Sequence, residues 1–264
     1  MECKNCHSPL ETHLNYCPNC GAKVIRNRLT IKSLFAHFSE QFLNYDNKFL
    51  QTFLGLFTKP EDVIQKYIDG TRKRYVNVIS YFAIAITISG LQMYFLNKYF
   101  PELIDVSVMS TVDTEAMQKE NLDFMQEYQS LLMMLYVPLY AAMSYIVFFT
   151  TKRYNYTEHL VIFMYISAQI SIFGAVIMLA VSASFGYTMG QVAIFLMPVY
   201  ILYSAYCLKR LYGMSLGGII LRTLFFLLIL FIFILGIIMV IIQIANYGSF
   251  EEYIKAQQAL QQKN

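Results

Sequence analysis

Five apolar stretches, residues 76–97, 128–149, 159–183, 191–208 and 219–245, dominate this chain of 264 residues. Each approaches or exceeds the ~20 residues an α-helix needs to cross the hydrocarbon core of a bilayer. The fourth is the shortest. Inside that core a backbone N–H or C=O has no water to bond, so runs of this length are stable as helices, which pair these groups internally. The composition agrees, with 57% of residues hydrophobic and 14% charged, against ~45–50% and ~25% in soluble domains. The expected fold is mainly α: a polytopic transmembrane bundle of about five spans over 76–245 with a polar tail over 246–264.

Lysine and arginine are enriched on the cytoplasmic flanks of spans. Eleven of the 20 basic residues precede the first span; Lys152 and Arg153 separate the second and third, Lys209 and Arg210 the fourth and fifth, and Arg222 lies just inside the fifth. The other side keeps Lys98, Lys119, Lys255 and Lys263, and its main loop is acidic, with Glu102, Asp105, Asp113, Glu115, Glu120, Asp123 and Glu127. This asymmetry predicts a cytosolic N-terminus and an outside C-terminus. The charged, cysteine-bearing segment ahead of the first span resembles no leader, so it is expected in the mature protein. Trp is absent, which leaves tyrosines such as Tyr94, Tyr99, Tyr154, Tyr156 and Tyr212 to form the interfacial belt.

Cys3-x2-Cys6-His7 alone fits either covalent haem attachment or half of a zinc site. Cys17-x2-Cys20 follows after ten residues, and two such turns supply the four thiolates of a closed, structural zinc site. Haem attachment and disulfides both need an oxidising compartment, contrary to the predicted topology. Cys3, Cys6, Cys17 and Cys20 are therefore the expected ligands of a structural Zn²⁺, in a small zinc ribbon over 1–25. Coupled binding of roughly 10 to 16 kcal/mol can hold such a module without a large core. Pro18 and Gly21 suit the second turn, Gly21 through access to φ > 0. His7 stands where glycine would be easiest; it and His13 read as surface polar residues, with ligation by either the alternative. Lys4 and Lys23 help offset the charge of the site, and Cys207 reads as a small apolar filler.

Residues 26–75 join ribbon to bundle. Ile31, Leu34, Phe35, Phe38, Phe42 and Leu43 form one apolar stripe at helical spacing, and Phe49, Leu50, Phe53, Leu54 and Phe57 a second. Two placements fit both: in the membrane interface, or packed on the ends of the spans. A third helix is marked by Pro60 at its start, Glu61 and Asp62 in its first turn and Gly70 at its stop. The basic run Thr71-Arg72-Lys73-Arg74-Tyr75 reads as a topology anchor beside the first span.

Within the spans, Gln92, Gln169 and Gln243 are the polar mid-span residues and are expected to make interhelical hydrogen bonds. Glu158 and His159 stand at the entrance of the third span. Pro138-Leu139-Tyr140 with Ser144 and Pro198-Val199-Tyr200 with Ser204 repeat a pattern that suggests a duplicated helical hairpin. Gly186-x3-Gly190 and Gly213-x3-Gly217 read as turns. The chain has no phosphate-binding glycine loop, His-Glu-x-x-His or Gly-x-Ser-x-Gly motif, and it is not expected to be an enzyme.

Cys-x-x-Cys, Tyr16-Cys17-Pro18-Asn19-Cys20-Gly21, Thr52-Phe53-Leu54 to Pro60 and Tyr67-Ile68-Asp69-Gly70-Thr71-Arg72-Lys73-Arg74-Tyr75 together resemble an uncharacterised bacterial family, domain of unknown function 3667. Glu158-His159-Leu160-Val161 and Arg210-Leu211-Tyr212-Gly213 are similar to later landmarks of that family. The resemblance implies a bacterial inner-membrane protein with a zinc ribbon and implies no activity. Met164-Tyr165 stands where the family often has a further histidine, which argues against a second, intramembrane metal site.

The joint reading is an integral inner-membrane protein whose cytosolic ribbon is a docking or regulatory module. Its expected partners are the lipid bilayer and a cytosolic protein at the ribbon; nucleic acid is not expected. The alternative is a small solute transporter or channel with the ribbon as lid or sensor.

Overall fold

The computed structural model describes residues 2–11, 13–22, 24, 48–71, 74–104 and 128–246, with the backbone alone at 129, 130 and 241–246. The first apolar stripe over 31–44, Lys23, Arg72, Lys73, most of the acidic loop, the side chain of Gln243 and the tail beyond 246 lie outside the described residues. The chain divides into two compact units, Met1–Lys48 and Phe49–Asn264.

In the first unit two turns share one design. Cys3 N–H donates to the Ser8 carbonyl at 2.9 Å and His7 N–H to the Cys3 carbonyl at 2.9 Å; Cys17 and Gly21 repeat this with Ala22 and Cys17, at 2.8 and 2.9 Å. The residue after each second cysteine is left-handed, Gly21 at φ 69° and His7 at φ 57°. An isolated antiparallel bridge joins Glu2 to Pro9. The core is small: Cys3, Leu10 and Cys17 are buried, with Leu14, Ala22 and Val24 packed against them.

In the second unit two short helices, α1 (Lys48–Thr58) and α2 (Pro60–Ile68), precede five long ones, α3 (Val78–Tyr99), α4 (Gln129–Phe148), α5 (Tyr156–Phe185), α6 (Met189–Tyr212) and α7 (Leu216–Asn246). All five long helices are long and apolar enough to cross a membrane. Three of them, α5, α6 and α7, exceed the stretches read from hydropathy. Asn155 and Glu158 close a capping box at the start of α5, and Thr188 and Gln191 another at the start of α6. Gly186 and Gly213, both left-handed, end these helices as turns. α2 has Pro60 in its first position, Glu61 and Asp62 in its first turn and Gly70 at φ 89° just past its end.

Side-chain pairs fix the register. Tyr165 on α5 donates to the Val76 carbonyl at 2.8 Å just before α3, and further along Ser89 meets Ser171 at 2.7 Å, so α3 and α5 run parallel. His159 meets Ser144 at 3.1 Å and Ser171 meets Met133 at 3.7 Å, so α4 runs antiparallel to α5. α6 is also antiparallel to α5, with Tyr212 beside His159 and Tyr200 beside Gly174. The starts of α3 and α5 and the ends of α4 and α6 therefore share one end of the bundle.

α5 is the central helix. Fifty-six per cent of its apolar window is buried within the protein, whereas none of that of α7 is. α7 presents Leu221, Leu224, Phe231, Ile232 and Met239 outward, an apolar face that calls for lipid. The repeated proline patterns differ in use as well: Ser144 bonds across to α5, whereas Ser204 bonds back to the Tyr200 carbonyl of its own helix at 2.9 Å.

Val76 is level with Tyr165, so α5 extends about two and a half turns beyond the start of α3. α2 packs beside that projecting part, with Tyr67 on Tyr165, and α1 reaches further along α5, to Gln169 and Phe173. Of the second apolar stripe, Phe49, Phe53 and Phe57 pack on Tyr81, Phe173 and Tyr203 of the spans, whereas Leu50 and Leu54 are exposed, so packing on the spans accounts for part of the stripe. Leu56, Val63 and Ile64 are fully buried, each burial contributing about 1.5–3 kcal/mol. Gly55 permits the tight α1–α2 turn, since a Cβ there would meet Val63 at 2.8 Å. The last carbonyls of a helix lack intrahelical donors; in α1, Tyr203 donates to the Leu56 carbonyl at 3.1 Å and Tyr206 to the Thr58 carbonyl at 3.1 Å. Gln169 adds a bond from Nε2 to the Phe53 carbonyl at 3.1 Å and accepts one from the Tyr81 hydroxyl.

Candidate metal centre

The two cysteine turns face each other. The four Sγ atoms of Cys3, Cys6, Cys17 and Cys20 lie within 4.8 Å of one another, with Cys3 to Cys20 at 3.6 Å and Cys6 to Cys17 at 3.6 Å. A tetrahedron of ~2.3 Å metal–sulfur bonds has sulfur–sulfur edges of about 3.8 Å. Disulfide sulfurs would be ~2.05 Å apart, and all four thiols are free. The donor set and its spacing fit one tetrahedral ion held by sulfur, as the sequence pattern predicts.

Hydrogen bonds prepare two of the sulfurs to act as thiolates, the form that ligates metal. The Ser8 hydroxyl lies 3.0 Å from Cys6 Sγ and 3.3 Å from Cys17 Sγ. Together with the Cys20 backbone it holds the Cys17 thiol at about 6, well below its ordinary value. The Ser8 side chain and backbone also lower Cys6. At Cys3 the bonds from the Cys6 and Asn5 backbones favour the thiolate, but burial and the neighbouring thiols outweigh them and raise it.

Ser8 was not visible as a functional residue in the sequence. The signal was there in the comparison of the turns: Ser8 follows Cys6-His7 at the position where Ala22 follows Cys20-Gly21. The hydroxyl is thus what distinguishes two turns of otherwise equal backbone. Neither histidine joins the sulfur group among the described residues. His7 is exposed, and His13, also exposed, pairs with Glu11 at 3.4 Å. Cys207 is fully buried in α6, within the helical unit.

The residues singled out at the start of the third span and the end of the fourth come together. Both ring nitrogens of buried His159 are partnered, Nδ1 with the Ser144 hydroxyl at 3.1 Å and Nε2 with the Tyr212 hydroxyl at 3.0 Å. Phe148 stacks on Tyr212 with centroids 4.3 Å apart, and Tyr154 meets the same ring edge-on at 5.1 Å. Glu158 caps α5. Each group has a structural use at a helix junction.

No curated protein and no solved structure matches the chain. Residues 46–90, which carry α1, α2, the run before α3 and the first half of α3, match the model of an uncharacterised domain family described as Protein of unknown function (DUF3667).

Proposed function

We propose that this is an integral bacterial inner-membrane protein whose N-terminal four-cysteine ribbon binds a structural Zn²⁺ in the cytosol and serves as a docking or regulatory module for a cytosolic protein, without catalytic chemistry of its own. The observation that carries this reading is the sulfur cluster, with opposite pairs 3.6 Å apart. Sulfur ligands at tetrahedral spacing suit Zn²⁺, and thiolate sites of this kind belong to a reducing compartment. The excess of basic residues before α3, in the α4–α5 turn, at the end of α6 and at Arg222 in α7 supports a cytosolic N-terminus and an outside C-terminus. A transporter reading has no comparable support. Gln169, Ser89 and Ser144 are each bonded to a neighbouring element of the bundle.

Metal analysis of the purified protein tests the centre: one zinc per chain is expected, and Cys17→Ser should lose it while the protein still inserts in the membrane. Full zinc retention in that variant overturns the four-thiolate assignment. Crosslinking from ribbon positions in living cells should capture a defined cytosolic protein; ribbon labelling by an impermeant thiol reagent on intact cells overturns the cytosolic placement.

A further inference from the structure

Where α2 and the end of α1 meet the run before α3, the α4–α5 turn and the end of α6, the second unit holds an open groove of about 890 Å³, within the ~300–1,000 Å³ of ordinary ligand sites. Its walls carry charges of both signs, but these do not cancel alike. Glu61 takes both of its bonds from Arg210, at 3.1 and 2.5 Å. Asp62 is matched by Lys66 at 2.5 Å and by the Tyr75 hydroxyl. Asp69 accepts from Gln65 at 3.0 Å. Two of the three carboxylates are thus matched by cations within the groove, while exposed Asp69 has an amide partner alone. Lys59, Arg74 and Arg153 also line it, are exposed, and are in no ion pair among the described residues.

The two arginines are held in place. Arg74 lies over the Tyr75 ring at 5.3 Å and Arg153 over the Tyr154 ring at 5.4 Å. Each ring is itself anchored by its hydroxyl, Tyr75 to Asp62 and Tyr154 to Gln65. A guanidinium lying over a ring has N–H groups to spare beyond its neighbours, and that planar fork matches the oxygens of a phosphate. Arg74 and Tyr75 just before α3 and Arg153 just before α5 place the groove at the end of the bundle where those helices start.

We propose that this groove is a binding site for a phosphate group, gripped by Arg74 and Arg153 with Lys59 supplying further positive charge. The site does not rest on the metal centre. The same chemistry is offered by the headgroup of an anionic phospholipid and by a soluble phosphate.

The test uses the full chain in lipid nanodiscs and reads its thermal midpoint. Phosphatidylglycerol added to phosphatidylcholine discs tests the lipid source, and inorganic pyrophosphate added to pure phosphatidylcholine discs tests the soluble one. A rise in either arm, lost in Arg74→Gln/Arg153→Gln and kept in Lys152→Gln/Lys209→Gln, supports the site and names its source. The second pair removes the same charge from the same end of the bundle outside the groove. Partial recovery in Arg74→Lys/Arg153→Lys separates loss of binding from loss of fold. No rise in either arm, or equal loss in the two Gln pairs, overturns the proposal.

Discussion

Arg210, in the last turn of α6, grips both carboxylate oxygens of Glu61, in the first turn of α2, 149 positions earlier. The pair joins the negative end of one helix dipole to the positive end of another, with each side chain of the sign that its own helix end favours. It fastens the α1–α2 hairpin to the spans.

Acid should loosen this fastening. Burial pushes the Glu61 and Asp62 carboxyls up, but Arg210 acts on the first, and Lys66 and Tyr75 on the second, to leave both below the ordinary carboxylate range. A carboxyl depressed in the fold contributes stability above its unfolded value, near ~4, and loses it as pH falls through the folded value. The thermal midpoint in nanodiscs should hold from about pH 7 to about 5 and drop below ~4.5. Glu61→Gln should shrink that drop and cost at most about 1 kcal/mol at neutral pH, since the side chains of the pair are 45% and 32% exposed. An unchanged pH profile in the variant would show that the carboxyl carries no such linkage.

Gln169 is the hinge pin between α3, α5 and α1. Gln169→Leu leaves the Phe53 carbonyl without its added donor and the buried Tyr81 hydroxyl without its acceptor. One buried polar group stranded in this way costs about 1–3 kcal/mol. Denaturant titration of the reconstituted protein should show a loss of that size, together with faster proteolysis within α1. Wild-type resistance of α1 would mean that its docking depends on the apolar contacts alone.

Gly174 lets the Tyr200 hydroxyl approach α5, and a Cβ there would overlap that hydroxyl. Gly174→Ala should destabilise by about 1–3 kcal/mol through overpacking. Tyr200→Phe, by removing the clashing atom, should restore part of this in the double variant. Additive losses in the four-member cycle would refute the contact.

His7 sits at φ 57°, a conformation glycine adopts without strain. His7→Gly should therefore keep one zinc per chain and slow its removal by a chelator. Loss of zinc in this variant would make His7 a ligand after all.

Helix existence was legible because it depends on local quantities: an apolar run of sufficient length, and caps such as Pro60, Gly70, Gly186 and Gly213 at its ends. The cysteine cluster was equally legible, since Cys-x-x-Cys spacing fixes one local turn that the residues around it cannot vary much. Ser8 escaped notice because a serine after such a turn acquires meaning only when the opposite turn brings Cys17 within 3.3 Å.

The sequence by itself determined that the chain makes five bilayer-length helices and a four-sulfur module, because hydropathy, capping and thiol spacing act over a few residues. The tertiary structure alone decided that α5 is central and α7 peripheral, that Gln169 reaches Phe53 116 positions away, and that Arg74 and Arg153 line one groove. Those outcomes depend on the register in which apolar helices pack, and side chains that are all equally apolar do not encode that register in any short stretch of sequence.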